Sequence, residues 1–520
     1  MRSETGLCGS IGLMAATAAL LCVPVSAVQL ENWRLPYYQT AHRLGLVSGS
    51  PSGMFWDNLY STPPFAPELW PDSAAFAAPH WTLEPALTAK LGNREERDGE
   101  RSFVHFDVLN DIRYRNLTVR QSLDVDSRNS GDSMYVWHRD RAAAGRIEEA
   151  YAQVDWRYGM LRFGRLKRNW GPWIDRSLFL SSNPPTYDAF EWGVHSRLFE
   201  FRHLFGAFPR EISNHDIDRG TFSGKRTGRY LSAHALNIML GRWATVGIFE
   251  SELLVRDKGL PDFQYMNPFS IYTVTNTNRE GKGNLLLGLQ WSVHPFTEKV
   301  EVLGQVALDD IQVDDETVGD QEPAHWGGDF GLRWYDGLPL PWRHALALSY
   351  RRASRWLYTV PDPNALNGER YTFTGKGLGG EGTDGDRTEL RLDAAGEDFW
   401  TAAVGVSYER DGGNTIHSRW SAMPGRDTTL PEGALGYRTE TPLSRREGLV
   451  RRIGVSLEAS ALFRDYAALR LRLLNLWEHE EAGGRDEGFT YRPEAALLLS
   501  IHYADFFFPL PGGRRAGEGF

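Results

Sequence analysis

The feature that most restricts this chain is an alternation of apolar and polar residues, with a period of two, recurring from Trp81 almost to the C-terminus. Val104, Phe106, Val108, Ile112 and Tyr114 hold even positions, while His105, Asp107, Asp111, Arg113 and Arg115 hold odd ones. Such a repeat gives an extended strand one apolar and one polar face and does not fit a helix, whose faces recur every 3.6 residues. The phase then switches. Leu117, Val119, Leu123 and Val125 form one face, and Thr118, Arg120, Ser122, Asp124 and Asp126 the other, as expected for a next strand after a short turn. The pattern returns in 285–293, 300–308, 346–350, 390–392, 400–408, 453–463 and 469–473. Between these stretches lie segments rich in Gly, Asp, Asn and Pro, such as Pro361 to Gly385 and Asp411 to Thr441, which read as loops of unequal length.

Recurring alternation leaves two architectures, a set of water-soluble β-sandwiches or one large membrane barrel. The polar faces favour the barrel. Arg387, Glu389, Arg391 and Asp393 alternate on one strand and Arg470 and Arg472 on another; a water-filled lumen tolerates such faces, whereas the inside of a sandwich would demand a partner for every charge. Aromatics also gather at strand ends, in Trp156-Arg157-Tyr158, Trp334-Tyr335, Trp400, Tyr408 and Trp477, where a barrel carries its interfacial girdles. Composition agrees: 41% hydrophobic and 12% aromatic residues, with a mean hydropathy of -0.42, suit strands that are apolar on one face only. Past the N-terminus no run approaches the ~20 apolar residues of a spanning helix. The expected fold is therefore all-β, a transmembrane antiparallel outer-membrane barrel. At about 25 residues per strand and connection it would have about 16 to 18 strands.

The ends set the compartment. Arg2, the apolar run Ile11 to Val23 and the small residues Val25-Ser26-Ala27 read as a signal peptide over 1–27, cleaved near Ala27 after Sec-type export. Cys8 and Cys22 both lie in it, so the mature chain is expected to hold no disulfide and no cysteine metal site. Residues 28–80 read as an N-terminal helical, periplasmic segment: Tyr37, Ala41 and Leu44 have helical spacing and Gly45 supplies the stop, with the helix placed outside or below the barrel. The barrel is assigned to 81–508, closing on Phe506-Phe507-Phe508, which is similar to the terminal strand that barrel-assembly machinery recognises; 509–520 is a tail. A formal net charge of -10 argues against a nucleic-acid partner. The expected location is the bacterial outer membrane, with its lipids as surroundings.

One block departs from the strand repeats. Gly164 to Trp173 holds Arg165, Lys167 and Arg168 beside Trp170 and Trp173, and Ser177 to Pro185 includes Asn183. Flat aromatic faces with planar cations suit an acidic glycan, so Arg165, Arg168, Trp170, Trp173 and Asn183 are candidate polysaccharide-binding residues. The same residues read equally well as a constriction loop packed inside the barrel, its cations paired to lumen carboxylates.

Trp170-Gly171-Pro172 followed by Ser177-Leu178, Leu180-Ser181, Asn183 and Pro184-Pro185 resembles the signature of the Wzi-type capsule-assembly proteins, outer-membrane lectins that hold capsular polysaccharide at the cell surface. Leu44-Gly45-Leu46-Val47 is similar to that family's opening helix, Tyr265-Met266-Asn267-Pro268 to its Asn-Pro turn, and Asn284 to Asp310 to its paired strands. Trp173 stands where the family pattern has a small residue. The resemblance, spread over about residues 36 to 310, implies 18 strands, a periplasmic helical part, no cofactor and no catalysis.

Enzyme and metal signals are slight. Gly131-Asp132-Ser133-Met134 is like the start of an esterase motif but lacks an Asp-x-x-His partner. Gly379 to Asp384 matches a lone calcium nonapeptide unit and reads as a solvated loop, and Asp309-Asp310 with Asp314-Asp315-Glu316 as an exposed acidic hairpin end. No metal, catalytic residue or cofactor is assigned. Two functions stay open: a non-catalytic barrel that binds, anchors or helps export capsular or extracellular polysaccharide, or a transport barrel, whether a diffusion porin or a polysaccharide export channel. A hydrolase built on Ser133 comes third.

Overall fold

The computed structural model describes residues 40, 43–44, 52, 54–55, 57, 80–91, 102–114, 116–126, 144–208, 228–256, 263–277, 283–310, 320–321, 325–360, 368–380, 382–396, 400–418, 435–436, 448–463, 467–482, 485–486, 488–501 and 503–507. Nearly all the alternating stretches become long strands. They are β1 (His80–Leu91), β2 (Ser102–Tyr114), β3 (Leu117–Asp126), β4 (Ala144–Trp156), β5 (Gly159–Leu166) and β6 (Tyr187–His195). Next come β7 (Phe199–Phe208), β8 (Gly228–Leu240), β9 (Ala244–Arg256), β10 (Gly283–Val293), β11 (Val300–Asp310) and β12 (His325–Tyr335). The last are β13 (Arg343–Ala353), β14 (Gly385–Ala395), β15 (Trp400–Asp411), β16 (Val450–Phe463), β17 (Ala467–Ala482) and β18 (Thr490–Ile501, continued by Tyr503–Phe507). The phase switch at residues 115–116 is the β2–β3 turn, which places Tyr114 opposite Leu117.

Every strand is antiparallel to the next, and β18 pairs back onto β1, with Ala86 opposite Ser500 and His80 opposite Phe507. The pairing of these eighteen long strands thus runs round to its start, leaving no open edge and satisfying each strand's backbone from both sides. Connections alternate in length. Residues 157–158, 196–198 and 241–243 make tight turns at one end, and residues 167–186, 257–282 and 354–384 make long connections at the other. Among the described residues no helix is long and apolar enough to cross a membrane.

The two faces sort as the alternation demands. Leu161, Phe163, Ile238, Ile248, Leu289, Leu332, Leu348, Leu390 and Val404 are exposed on the outside. Trp156, Tyr158, Trp243, Trp334 and Trp342 are exposed near the tight turns, and Trp342 packs edge-on against Trp400 at 5.8 Å, forming an aromatic rim there. Tyr335 is not part of that rim: it points inward, is 8% exposed and bonds the Glu301 carboxylate, because it alternates with outward Trp334.

Among the described residues, the lumen filling is built mainly from three segments, with Ile416 and His417 of the β15–β16 connection packed on it. The β5–β6 connection folds inward, with Trp170, Phe179 and Leu180 fully buried. The β13–β14 connection joins it through Tyr358, Tyr371, Phe373 and Leu378, and includes a small hairpin, Thr372–Phe373 with Lys376–Gly377. The described part of the N-terminal segment is the third: Met54 and Phe55 sit in the same cluster. One helical hydrogen bond, Leu44 N to Thr40 O at 2.9 Å, remains of the predicted helix within the described residues. The sequence placed this element outside or below the barrel; Leu44 packs on Tyr335 and Ala345 inside the tight-turn mouth, since the lumen offers apolar cover that water does not.

Two loop expectations are corrected. Gly379, Gly380 and Asp384 do not form a solvated loop: Asp384 is fully buried, and a Cβ on Gly379 would stand 2.3 Å from the Tyr358 hydroxyl. Asp309 is no exposed acidic hairpin end, since its carboxylate accepts the Tyr358 backbone N–H at 2.6 Å. Ser133, Asp314 to Glu316, Phe508, residues 509–520 and the signal peptide lie outside the described residues.

Candidate functional site

The β5–β6 connection is stapled to the inner wall by paired polar groups. The Gln305 amide on β11 accepts Leu178 N–H at 2.8 Å and donates to Trp170 O at 3.0 Å. It also donates to Gln290 at 3.0 Å, which in turn donates to Asn237 at 2.7 Å. Gly171 N–H donates to Met54 O, and Ser181 N–H to Leu378 O, each at 2.7 Å. Tyr358 donates to Leu178 O at 2.7 Å, and Tyr371 to Phe179 O at 3.2 Å. The Gly of the Trp-Gly-Pro motif has a steric reason, because a Cβ on Gly171 would meet the Gln305 amide at 2.8 Å. Ser177 bonds Trp170 O and caps Phe179 N–H at 3.0 Å, and Asn183 Nδ2 donates to Gly377 O at 3.1 Å. These motif residues shape the loop itself. Asn267, also in the quoted motifs, accepts Phe269 N–H at 3.1 Å, so Asn267-Pro268 is a turn.

A buried charge network fastens the same loop to β5–β7. Arg168 is 1% exposed and donates to Glu191 at 3.2 Å and to Tyr187 O at 3.1 Å. Arg162 bonds Glu191 at 3.3 Å and Asp57 at 3.1 Å, and Arg202 bonds Asp57 and Glu200. Trp170 Nε1 donates to Asp57 at 3.3 Å, and its ring meets Phe55 edge-on at 5.0 Å. Burial pushes the Asp57 carboxyl up, but Arg202, Arg162 and Arg168 together hold it below the usual carboxylate range. A residue so enclosed offers nothing to a polymer.

Of the five candidate binding residues, the structure therefore enclosed two, Arg168 and Trp170. Arg165 is a third misplacement: at the end of β5 it alternates outward with Leu161 and Phe163, and it pairs with exposed Asp188 at 2.5 Å. Only Trp173 and Asn183 border open space.

That space is a cavity of about 720 Å³ between the loop and the inner faces of β12–β17. Its wall holds Arg43, Lys167, Arg176, Arg333, Arg351, Lys376, Arg387, Arg391, Arg452, Arg470 and Arg472, against Asp175, Glu389, Asp393, Glu409 and Glu458. Eleven cations face five carboxylates, although the chain as a whole carries -10. Asp329, Glu301, Asp411 and Glu478 pair with lining arginines from behind and reduce the imbalance, but the surface a ligand meets is cationic. One carboxylate, Glu458, is shared by Arg391 at 3.1 Å, Arg470 at 3.5 Å and Arg472 at 3.6 Å, and Arg391 also meets Asp393 at 3.0 Å. Trp173 packs against the wall at Gly331, where a Cβ would come 2.2 Å from its ring, with the Arg176 guanidinium 3.9 Å and that of Arg333 4.9 Å from its ring centroid. The small residue that lets the bulky Trp173 fit is thus on β12. Arg43 closes the tight-turn side, 2.8 Å from Asp175 and 3.5 Å from Asp393.

The sequence pointed to part of this wall, in the alternating Arg387/Arg391 and Arg470/Arg472 faces. It missed Arg176, Arg333, Arg351 and Arg452, whose convergence on one cavity depends on the tertiary fold. Among the described residues no group of three His, Cys, Asp or Glu side chains is placed to hold a metal ion.

No family model and no curated protein matches this chain. Solved structures do. Wzi, an outer-membrane protein involved in group 1 capsule assembly in Escherichia coli and described as a carbohydrate-binding β-barrel, superposes with a TM-score of 0.54 at 12% identity, covering 94% of this chain and 100% of Wzi. Pseudomonas aeruginosa OccK5 (OpdH) gives 0.41 at 12% identity over 82% of this chain and 99% of that one, and OprD from the same organism 0.40 at 9% over 83% and 96%. At 12% identity the likeness to Wzi establishes the fold alone, that of an outer-membrane β-barrel.

Proposed function

We propose that this protein is a non-catalytic outer-membrane barrel that binds acidic capsular or extracellular polysaccharide and holds it at the cell surface. The observation that carries the reading is the cation-lined cavity beside the anchored loop, with Trp173 between Arg176 and Arg333. Guanidinium groups meet carboxylate or phosphate in bidentate geometry, and the nearly buried Trp173 ring orients two of them, Arg176 and Arg333. Contacts of this kind are weak singly, but a repeating polymer presents many copies and gains through effective concentration. The long-connection end faces the cell exterior on the usual arrangement of such barrels, and the N-terminal segment then enters from the periplasm. The carbohydrate binding named for Wzi agrees with this reading.

The test is retention of polysaccharide. Deleting the gene should move acidic polysaccharide from the cell-associated to the released fraction, and detergent-purified protein should bind the released material in a manner that high salt abolishes. Unchanged retention would remove the proposal. The charged lumen also suits the transport reading, which single-channel recording separates: a loop-filled barrel that anchors polymer should conduct little, whereas a porin should show large, steady openings.

A further inference from the structure

Between β9 and β10 the chain forms two short helices, α1 (Phe263–Met266) and α2 (Tyr272–Thr277). They lie on the outer wall of the barrel. Their partners show this: His203, Ser232, His234, Glu250 and Glu252 lie on the same faces of β7–β9 as the lipid-exposed Ile238, Leu240, Val246 and Ile248. On a bare wall His234 would stand about 15 Å above Leu240 along the membrane normal, inside the ~25 Å apolar band of such barrels. A charged or polar side chain there would face acyl chains, which offer it no hydrogen-bond partner.

The helices supply what lipid cannot. Glu250 accepts the N–H groups of Tyr272 and Thr273 at 2.7 and 2.6 Å. Asn276 donates to Glu252 at 2.7 Å, Tyr272 and Ser232 share a hydrogen bond of 2.7 Å, and the Tyr272 ring lies 4.7 Å from His234. Ser232 and Glu252 become fully buried. The other side of the excursion is apolar: Phe263, Phe269, Ile271 and Val274 are 80, 79, 60 and 54% exposed. Phe269 extends this surface onto the wall, stacked 6.2 Å from outward Phe201 and edge-on 6.3 Å from Trp192. The exposed surface is therefore continuous with the lipid belt.

We infer that the β9–β10 excursion is seated in the outer leaflet, its apolar side in contact with acyl chains, as a second layer of the barrel wall over a polar patch. The inference rests on the barrel spanning a bilayer, and the experiment checks that separately. In a chain without Cys8 and Cys22, single variants Phe269→Cys, Ile271→Cys, Ile248→Cys and Phe296→Cys are labelled with an environment-sensitive fluorophore. Each is reconstituted in dioleoylphosphatidylcholine vesicles, with and without an acyl-chain doxyl-labelled phosphatidylcholine, after heat-modifiable mobility confirms a folded barrel. Ile248 marks the belt and Phe296, 84% exposed in a tight turn, marks water. Labels at 269 and 271 should match 248 in blue-shifted emission and doxyl quenching and resist aqueous iodide, unlike 296. Quenching by iodide would place the excursion in water, and quenching by neither agent would place it under a protein partner; either result overturns the inference. Loss of doxyl quenching at 248 itself would instead refute the membrane barrel.

Discussion

Trp170→Ala tests whether the Trp-Gly-Pro loop is an independently anchored filling of the barrel. Trp170 is fully buried, packed on Phe55 at 5.0 Å and Phe179 at 5.9 Å, and donates to Asp57 at 3.3 Å. Truncating a buried Trp to Ala costs about 3–5 kcal/mol. The lost hydrogen bond adds little, because Asp57 keeps Arg162 and Arg202. The ladder hydrogen bonds of the barrel do not involve this side chain, so the cost should fall on the loop alone. At about 1.4 kcal/mol per tenfold, local opening of residues 167–186 should become roughly a hundredfold to several thousandfold more frequent. The other staples, through Gln305, Tyr358 and Tyr371, should keep the closed form dominant at about 1 kcal/mol per hydrogen bond. Hydrogen exchange followed by mass spectrometry measures this directly: peptides from 167–186 should exchange faster by that factor, with peptides from β13–β17 unchanged and heat-modifiable mobility retained. Exchange that rises equally in loop and strands would show that Trp170 holds the barrel itself, and unchanged loop exchange would refute the packing argument.

Four further outcomes follow from the same geometry. Gly331→Val puts a side chain into the Trp173 ring and should lift the loop from β12, raising single-channel conductance without loss of assembly. Glu458→Gln removes the carboxylate shared by Arg391, Arg470 and Arg472 and should strengthen binding of acidic polysaccharide several-fold at low salt, an effect screened at high salt; weaker binding would count against the cationic wall as the binding surface. Arg165→Ala should leave polysaccharide binding unchanged in the same titration, since Arg165 points outward to Asp188. Burial pushes the Asp175 carboxyl up, but Arg43 and Arg176 pull it further down, below the usual range. A lowered carboxylate pKa stabilises the fold at any pH above the unfolded value of about 3.9, and that stabilisation fades as pH falls through the folded pKa. With Asp175 30% exposed the effect is muted. Trp173 fluorescence should thus be flat from neutral pH down to about 4 and change only below it; a transition near pH 6 would contradict the assignment.

How much of this could be read beforehand differs between wall and interior. Strand positions and their two faces were legible because alternation is a local property: Arg387 and Arg391 face the lumen for the same reason that Leu390 faces outward. Connections were not legible. Pro361 to Gly385 reads as a polar loop, yet Tyr358, Tyr371, Phe373 and Leu378 carry it into the lumen core, and nothing in its own composition says which interior would receive it. Arg168 and Trp170 looked like ligands because a cation beside an aromatic has the same composition whether it meets a sugar or packs against Glu191 and Phe55. Arg165 was read as part of the loop block, whereas it still belongs to β5 and shares the outward phase of Leu161 and Phe163. The excursion of α1 and α2 onto the outer wall carried no signal beyond the Asn267-Pro268 turn.

The sequence by itself determined an antiparallel barrel-forming chain with a charged interior face and an apolar exterior, because a period of two sorts side chains before any long-range contact forms. Closure and filling were decided only in three dimensions. Pairing β18 to β1 closes the wall, and arginines from five strands, β12, β13, β14, β16 and β17, and from the folded-in segments gather round one cavity, whose electrostatics are opposite in sign to those of the whole chain. Charge summed along a sequence counts every residue equally. A ligand inside a barrel responds to the side chains within a Debye length of about 8 Å, and which ones those are is settled by tertiary structure.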